Sequence, residues 1–293
     1  MSRLVSVALT AALVLMFGWA FRAAEAVTPD QAEQMVLLSA VEFEPADSTM
    51  PLGRGVVIGA TDTDSYVLTD SHVFHNKYSF CPYPSGIDSY AARLAEYNVK
   101  RVRTSALITA PHDVIADDRC RDLAVVRLAG IVLPVACFAR NVAQRASIGI
   151  RGPVVYGKDG DETIFHDEWR INVALDTYHI NAKSGKPPMD RVLHNVIASD
   201  GFSGAGLFDI SRGAFVGIQR GKLDQRDTAP DAPAHYIATA TAEILDFLKE
   251  YKAGAPRVTV QHVDIPDLTI VEKGAALPGV CFGHRPTPKP NPS

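Results

Sequence analysis

Tyr66-Val67-Leu68-Thr69-Asp70-Ser71-His72-Val73 is an apolar run that passes through small polar residues to a histidine. Tyr, Val and Leu suit a pleated, buried surface, so the run reads as a strand with an imidazole at its end. Working outward, similar runs recur at Met35 to Phe43, Gly55 to Ile58, Val99 to Thr104, Leu123 to Leu128 and Ala146 to Ile150. Others are Arg170 to Leu175, Ala205 to Ile210 and Ala214 to Ile218. Many short strands with few helices between them predict barrels or a sandwich rather than alternating βα units. One helix stands apart. Over Thr241 to Lys252, Ile244, Phe247, Leu248 and Tyr251 share a face, with Thr239 or Thr241 as cap and Gly254 with Pro256 as terminator. A strand-like piece, Arg257 to Val263, and a proline-dominated tail, Arg285 to Ser293, follow it.

Two more segments matter. Arg121-Asp122-Leu123-Ala124-Val125-Val126 sets an aspartate directly before an apolar strand, and Ser199-Asp200-Gly201-Phe202-Ser203-Gly204-Ala205-Gly206 surrounds one serine with glycines. Each alone is ordinary: a histidine at a strand end, an aspartate closing a turn, a Gly-rich bend. Together they supply a base, an acid to orient it, and a serine whose flexible turn can aim backbone N–H groups at a developing oxyanion. Asp113, Asp117 and Asp118 compete as the acid, and His75 and His112 as the base. Asp122 is preferred because the strand behind it would bury and fix it.

The order His, Asp, Ser resembles that of chymotrypsin-like (trypsin-like) serine proteases, and differs from subtilisins and α/β-hydrolases. Gly55-Val56-Val57-Ile58 followed by Val67 to His72 resembles the opening of bacterial trypsin-like peptidases; Asp122 to Val126 resembles their aspartate strand and Gly201 to Gly206 their serine turn. Phe215-Val216-Gly217-Ile218 is similar to the strand that follows. The resemblance implies an all-β fold of two six-stranded antiparallel barrels with a C-terminal helix. The first would span 35–135 and carry His72 and Asp122; the second would span 146–253 and carry Ser203; 254–293 would be an extension. It also implies a serine endopeptidase acting on protein or peptide. Ser203 would attack, His72 would serve as base and acid, Asp122 would orient His72, and the N–H groups of Gly201 and Ser203 would form the oxyanion hole.

The chain also departs from the family pattern. Phe202 stands where many animal members carry the aspartate that pairs with a new N-terminus after zymogen cleavage, so activity should not require that cleavage. Ala205-Gly206 replaces the commoner Gly-Pro. The family's pocket base falls on Ile197, which implies an apolar or small P1 residue. The substrate-edge strand falls on Gln219, Arg220 and Gly221, where Arg220 would favour acidic groups. Two rival readings remain: a non-catalytic binding module on the same double barrel, and an α/β-hydrolase, for which only Asp231 with His235, or His262, follows the serine.

The chain has 293 residues, a net charge of -4, 47% hydrophobic and 21% charged residues, which excludes a disordered chain and gives no basis for nucleic-acid binding. No phosphate loop or metal-ligand cluster is legible, so neither cofactor nor metal is expected. Arg3, the apolar run Leu4 to Ala20 and Ala24-Glu25-Ala26 have the layout of a secretory signal, 1–26, with Gly18-Trp19-Ala20 as an earlier cut and an uncleaved anchor as the alternative. Cleavage would place the protein in the periplasm or outside the cell, without stable membrane association. Four cysteines in an oxidising compartment suggest disulfides. Within the resembled fold, the loops after His72 and before Asp122 are neighbours, which implies Cys81–Cys120 and leaves Cys137–Cys281 to tie down the extension.

Overall fold

The computed structural model describes residues 27–45, 53–74, 97–102, 106–159, 162–180, 189–222, 235–255 and 258–271. The expected signal segment, His75, Cys81, Cys281 and the proline-rich tail lie outside them. No helix among the described residues is long and apolar enough to cross a membrane.

Seven strands form the first sheet: β1 (Ala40–Pro45), β2 (Gly53–Ala60), β3 (Ser65–Thr69), β4 (Tyr97–Arg101), β5 (Leu107–Ile108), β6 (His112–Asp118) and β7 (Leu123–Leu128). Their order is β5-β4-β1-β2-β3-β7-β6. The two edge strands are joined by only residues 109–111, and Ile108 and Val114 share one core with Val41, Val67 and Val126, so the sheet rolls up on itself.

The second sheet contains β8 (Cys137–Phe138), β9 (Ser147–Asp159), β10 (Glu162–Ile180), β11 (Met189–His194), β12 (Gly206–Asp209), β13 (Ala214–Lys222), β14 (Tyr236–Ala240) and β15 (Thr269–Ile270). Strands β9, β10, β11, β14, β13 and β12 pair in a ring, because β12 bonds to both β13 and β9. This is a closed six-stranded antiparallel barrel; the first sheet has seven strands where six were expected, and the whole is the chymotrypsin-like architecture expected from the sequence.

Alternation along the strands explains why their apolar runs are continuous. In β7, Ala124, Val126 and Leu128 face the first barrel's core, while Leu123 and Val125 face a second cluster that lies between the barrels. Strand β3 divides likewise, with Val67 inward and Tyr66 and Leu68 toward the seam. Both faces are buried, so neither can be polar. From the other side, Phe208, Phe215 and Ile218 fill the same seam, with Phe208 and Phe215 edge to face at 5.1 Å.

Two helices cover this seam. One, α1 (Pro29–Ser39), corrects the expected strand from Met35: Thr28 accepts from Gln31 N and Gln31 returns a bond to Thr28 N, a capping box that starts a helix with Ala32, Met35 and Val36 inward. The other, α2 (Thr241–Lys252), has the expected bounds and buries Ile244, Phe247, Leu248 and Tyr251. Its N-cap is Ala240, with no side-chain cap, rather than either threonine. The strand-like piece after it forms an isolated bridge, Ala116 to Thr259, while the Tyr251 hydroxyl bonds to the carbonyls of Gln261 and Val263.

Candidate active site

The site forms where the barrels meet. Strand β3 ends at Thr69, and a single 3-10 turn, Ser71–Phe74, carries His72. Ser71 Oγ donates to Asp117 Oδ1 of β6 at 2.5 Å, and Val73 and Phe74 are buried in the first core, so the turn is anchored on both sides of the imidazole. Asp122 closes the β6–β7 turn with φ at 62°, a left-handed conformation that aspartate tolerates better than most residues. Arg121 beside it reaches Asp118 at 2.7 Å and Glu250 of α2 at 2.6 Å, and its carbonyl accepts from Arg191 Nη2 of β11 at 3.2 Å. The buried Arg191 thus ties the second barrel to the turn that presents Asp122.

The serine turn is held from the opposite barrel. Arg54 N of β2 donates to the Ser203 carbonyl at 2.7 Å. Gly201 has φ of 86° and Gly204 of 79°. At 204 an added Cβ would run into the carbonyl of Arg54 and Thr69 Oγ1, so both the backbone angle and the close approach require glycine. Phe202 is buried among Ile150, Val196, Leu207 and Val216, and its ring lies where a Cβ on Gly152 would stand. A hydrophobic anchor therefore fills the position where the family's charged one was considered.

Three side chains converge. Asp122 Oδ2 lies 2.9 Å from His72 Nδ1, and His72 Nε2 lies 2.7 Å from Ser203 Oγ. Asp122 Oδ1 also accepts from the His72 backbone N–H at 2.9 Å. The competing acids are occupied elsewhere: Asp117 on Ser71, Asp118 on the N–H groups of Cys120 and Arg121, and Asp113 on the exposed side of β6. His112 sits on β6 against the Ala110 carbonyl.

The electrostatics follow from this geometry. Burial alone would lift the Asp122 carboxyl, but His72 and Arg220 outweigh it and hold the group well below the usual carboxylate range. Burial alone would lower His72; its bond to Asp122, with the charges of Asp122 and Asp70, instead raises it to about 9. Asp70, Asp122 and His72 approach closely enough to suggest a metal site among the described residues. They do not fit one, because both imidazole nitrogens are engaged and the Arg220 guanidinium lies against Asp122.

Residues 53–218, more than half of the chain, match the model of a trypsin-like peptidase domain. The chain belongs to the trypsin-like peptidase family. This trypsin-like peptidase matches no curated protein. Among solved structures it is similar to the inactive form of a serine-to-alanine mutant of Rv3671c from M. tuberculosis H37Rv, with TM-score 0.52 and 16% identity over 80% of this chain and 93% of that one. A structure of Rv3671c protease in its inactive form gives TM-score 0.50 and 16% identity over 77% and 98%. At such identity the likeness is one of fold.

Other expected positions of the peptidase fall differently. Ile197 is 60% exposed and does not form an enclosed pocket floor. Gln219 is buried, with Oε1 against His194 Nε2 at 2.7 Å and Nε2 donating to the Gly221 carbonyl at 3.1 Å. Burial pulls His194 down to about 4, so it is a neutral imidazole beside β13. Arg220 does not project freely toward substrate: its Nε donates to Asp122 Oδ2 at 3.0 Å. No cysteine among the described residues is a free thiol. Two participants escaped the sequence reading: Asp70, whose only signal was a carboxylate two residues before His72, and His194, which carried none.

Proposed function

We propose that this trypsin-like peptidase is an active serine endopeptidase, exported from the cytoplasm, that cleaves protein or peptide substrates through an acyl-enzyme on Ser203. What carries the reading is the continuous hydrogen-bonded line Asp122–His72–Ser203, at 2.9 and 2.7 Å. Ser203 Oγ attacks the scissile carbonyl while its proton passes to His72 Nε2. Asp122, bonded to Nδ1, fixes the tautomer in which Nε2 is free to accept and stabilises the imidazolium that forms. The C–N bond breaks as His72 returns the proton to the leaving amine, and water then attacks the acyl carbonyl with His72 again as base. The N–H groups of Gly201 and Ser203 face the developing oxyanion, a role suited to the positive φ of Gly201. Gln219 to Gly221 on β13 form the edge along which substrate lies. Export rests on the layout of 1–26, and the disulfides Cys81–Cys120 and Cys137–Cys281 belong to the same proposal.

The test is labelling by a fluorophosphonate probe. Wild type should label, while Ser203→Ala and His72→Ala should not. Equal labelling of all three would refute the mechanism, and no labelling of wild type would favour the non-catalytic binding module.

A further inference from the structure

Asp70 is the residue of the site that the triad does not use. Its side chain is fully buried at the junction of three elements: the end of β3, the 3-10 turn of His72 and the turn that carries Ser203. Oδ2 accepts from the Gly204 backbone N–H at 3.0 Å and lies 3.9 Å from His72 Nδ1, while Oδ1 has no hydrogen-bond partner. Gly204 N also donates to the Gln219 carbonyl at 2.9 Å, so this one N–H is shared between Asp70 and the substrate-edge strand. The charged groups that face Asp70 are His72 beside it, Asp122 of the β6–β7 turn, Arg220 of β13 and, further off, Arg191 of β11.

Resting on the proposed roles of Ser203 and His72, we propose that Asp70 is a second carboxylate of the site, a positioning residue that fastens the serine turn to the histidine turn and sets the basicity of His72 from its Nδ1 side. The bond to Gly204 N holds the residue next to the nucleophile, and so constrains the approach of Ser203 Oγ to Nε2. The charge acts separately. Burial and then the repulsion of Asp122 lift the Asp70 carboxyl well above the usual carboxylate range, while the imidazolium, Arg220 and Gly204 N–H oppose that rise, and an ionised Asp70 in return favours the imidazolium. Proton gain by His72 and proton loss by Asp70 are therefore coupled, and the pair titrates as a unit. A simple structural brace would bind Gly204 equally well without the charge.

Asp70→Asn separates the two contributions, since the amide oxygen still accepts from Gly204 N. The rate of fluorophosphonate labelling is followed against pH in wild type, Asp70→Asn and Asp70→Ala, all full length. In Asp70→Asn the inflection of the acid limb should fall by about one pH unit, the size of shift that removing a charge at this distance gives, with a plateau above that of Asp70→Ala. In Asp70→Ala the inflection should fall similarly and the plateau should drop about ten-fold as the brace is lost. An Asp70→Asn profile that superimposes on wild type would overturn the proposal. Carboxyl-carbon and imidazole NMR titration of wild type tests the coupling without the variants or turnover: Asp70 and His72 should respond in the same two steps, and an Asp70 resonance that stays still through the His72 transition would overturn it too. A wild type that takes no label would count against the proposed function, and the NMR titration would then judge Asp70 by itself.

Discussion

Arg220 Nε donates to Asp122 Oδ2 at 3.0 Å, on the same oxygen that His72 Nδ1 meets at 2.9 Å. The contact exists because β13 changes register against β14 between Gln219 and Gly221, which leaves Arg220 as the extra residue of a bulge and turns its side chain toward the first barrel. A guanidinium shared with the imidazole draws negative charge away from His72 and lowers its basicity.

Arg220→Gln should therefore move the acid limb of labelling to higher pH, because a charge opposing the imidazolium is gone. It should also cost about 1–3 kcal/mol of stability, since a buried carboxylate loses a charged donor. Urea unfolding together with the labelling profile checks both, and an acid limb that moves to lower pH would contradict the electrostatic role.

The His72 imidazole, raised from 6.5 to about 9 on folding, links stability and activity in opposite directions. Its contribution to stability is complete below pH 6.5 and disappears as pH climbs through about 9, a loss on the order of 3 kcal/mol. Labelling requires the neutral ring, so its rate should rise across that same window. Asp122 behaves in the contrary sense: its depressed carboxyl stabilises above the usual carboxylate range and fails only in strong acid. Unfolding free energies flat between neutral pH and 9 would count against this account. Asp122→Asn should remove most of the dependence and slow labelling by roughly 10⁴-fold.

Gly204→Ala should lose about 3 kcal/mol or more, since its φ of 79° is left-handed and the new Cβ meets the Arg54 carbonyl. Labelling should be abolished, because the turn cannot shift without moving Ser203. A thermal melt within a degree of wild type would show that the turn is more yielding than its contacts indicate.

Phe202→Asp places a charge in an apolar cluster with Ile150, Leu207 and Val216. It should destabilise by about 3 kcal/mol or more and stop labelling. The native protein, anchored by this ring, should label as soon as it is folded. The intact mass of the labelled species checks this, and a requirement for a cut beyond the expected signal cleavage after Ala26 would disprove it.

Several parts of this molecule could be read from local order. The spacing of Ile244, Phe247, Leu248 and Tyr251 is helical on its face, and the run Leu123 to Leu128 is a strand buried on both sides. The three motif segments named His72, Asp122 and Ser203, because each bears a backbone signature next to its side chain. Met35 to Phe43 misled over its first half, since the run Met35 to Leu38 is too short to show a period and the capping box that begins α1 lay upstream, at Thr28 and Gln31, while Ala40 onward is the expected strand. The largely polar stretch His166 to Arg170 within β10 hid a strand because its side chains are exposed or only partly buried.

Partners across the barrel seam were out of reach of such reading. Arg220 meets Asp122 from 98 residues away, and Gly204 meets Asp70 from 134. Neither contact leaves a periodicity or a spacing in the chain, for it arises only when two closed sheets pack and water is excluded between them. Chain order singled out His72, Asp122 and Ser203; the packed seam set their charges, because Coulomb interactions depend on distance through space and on burial, and the linear sequence records neither.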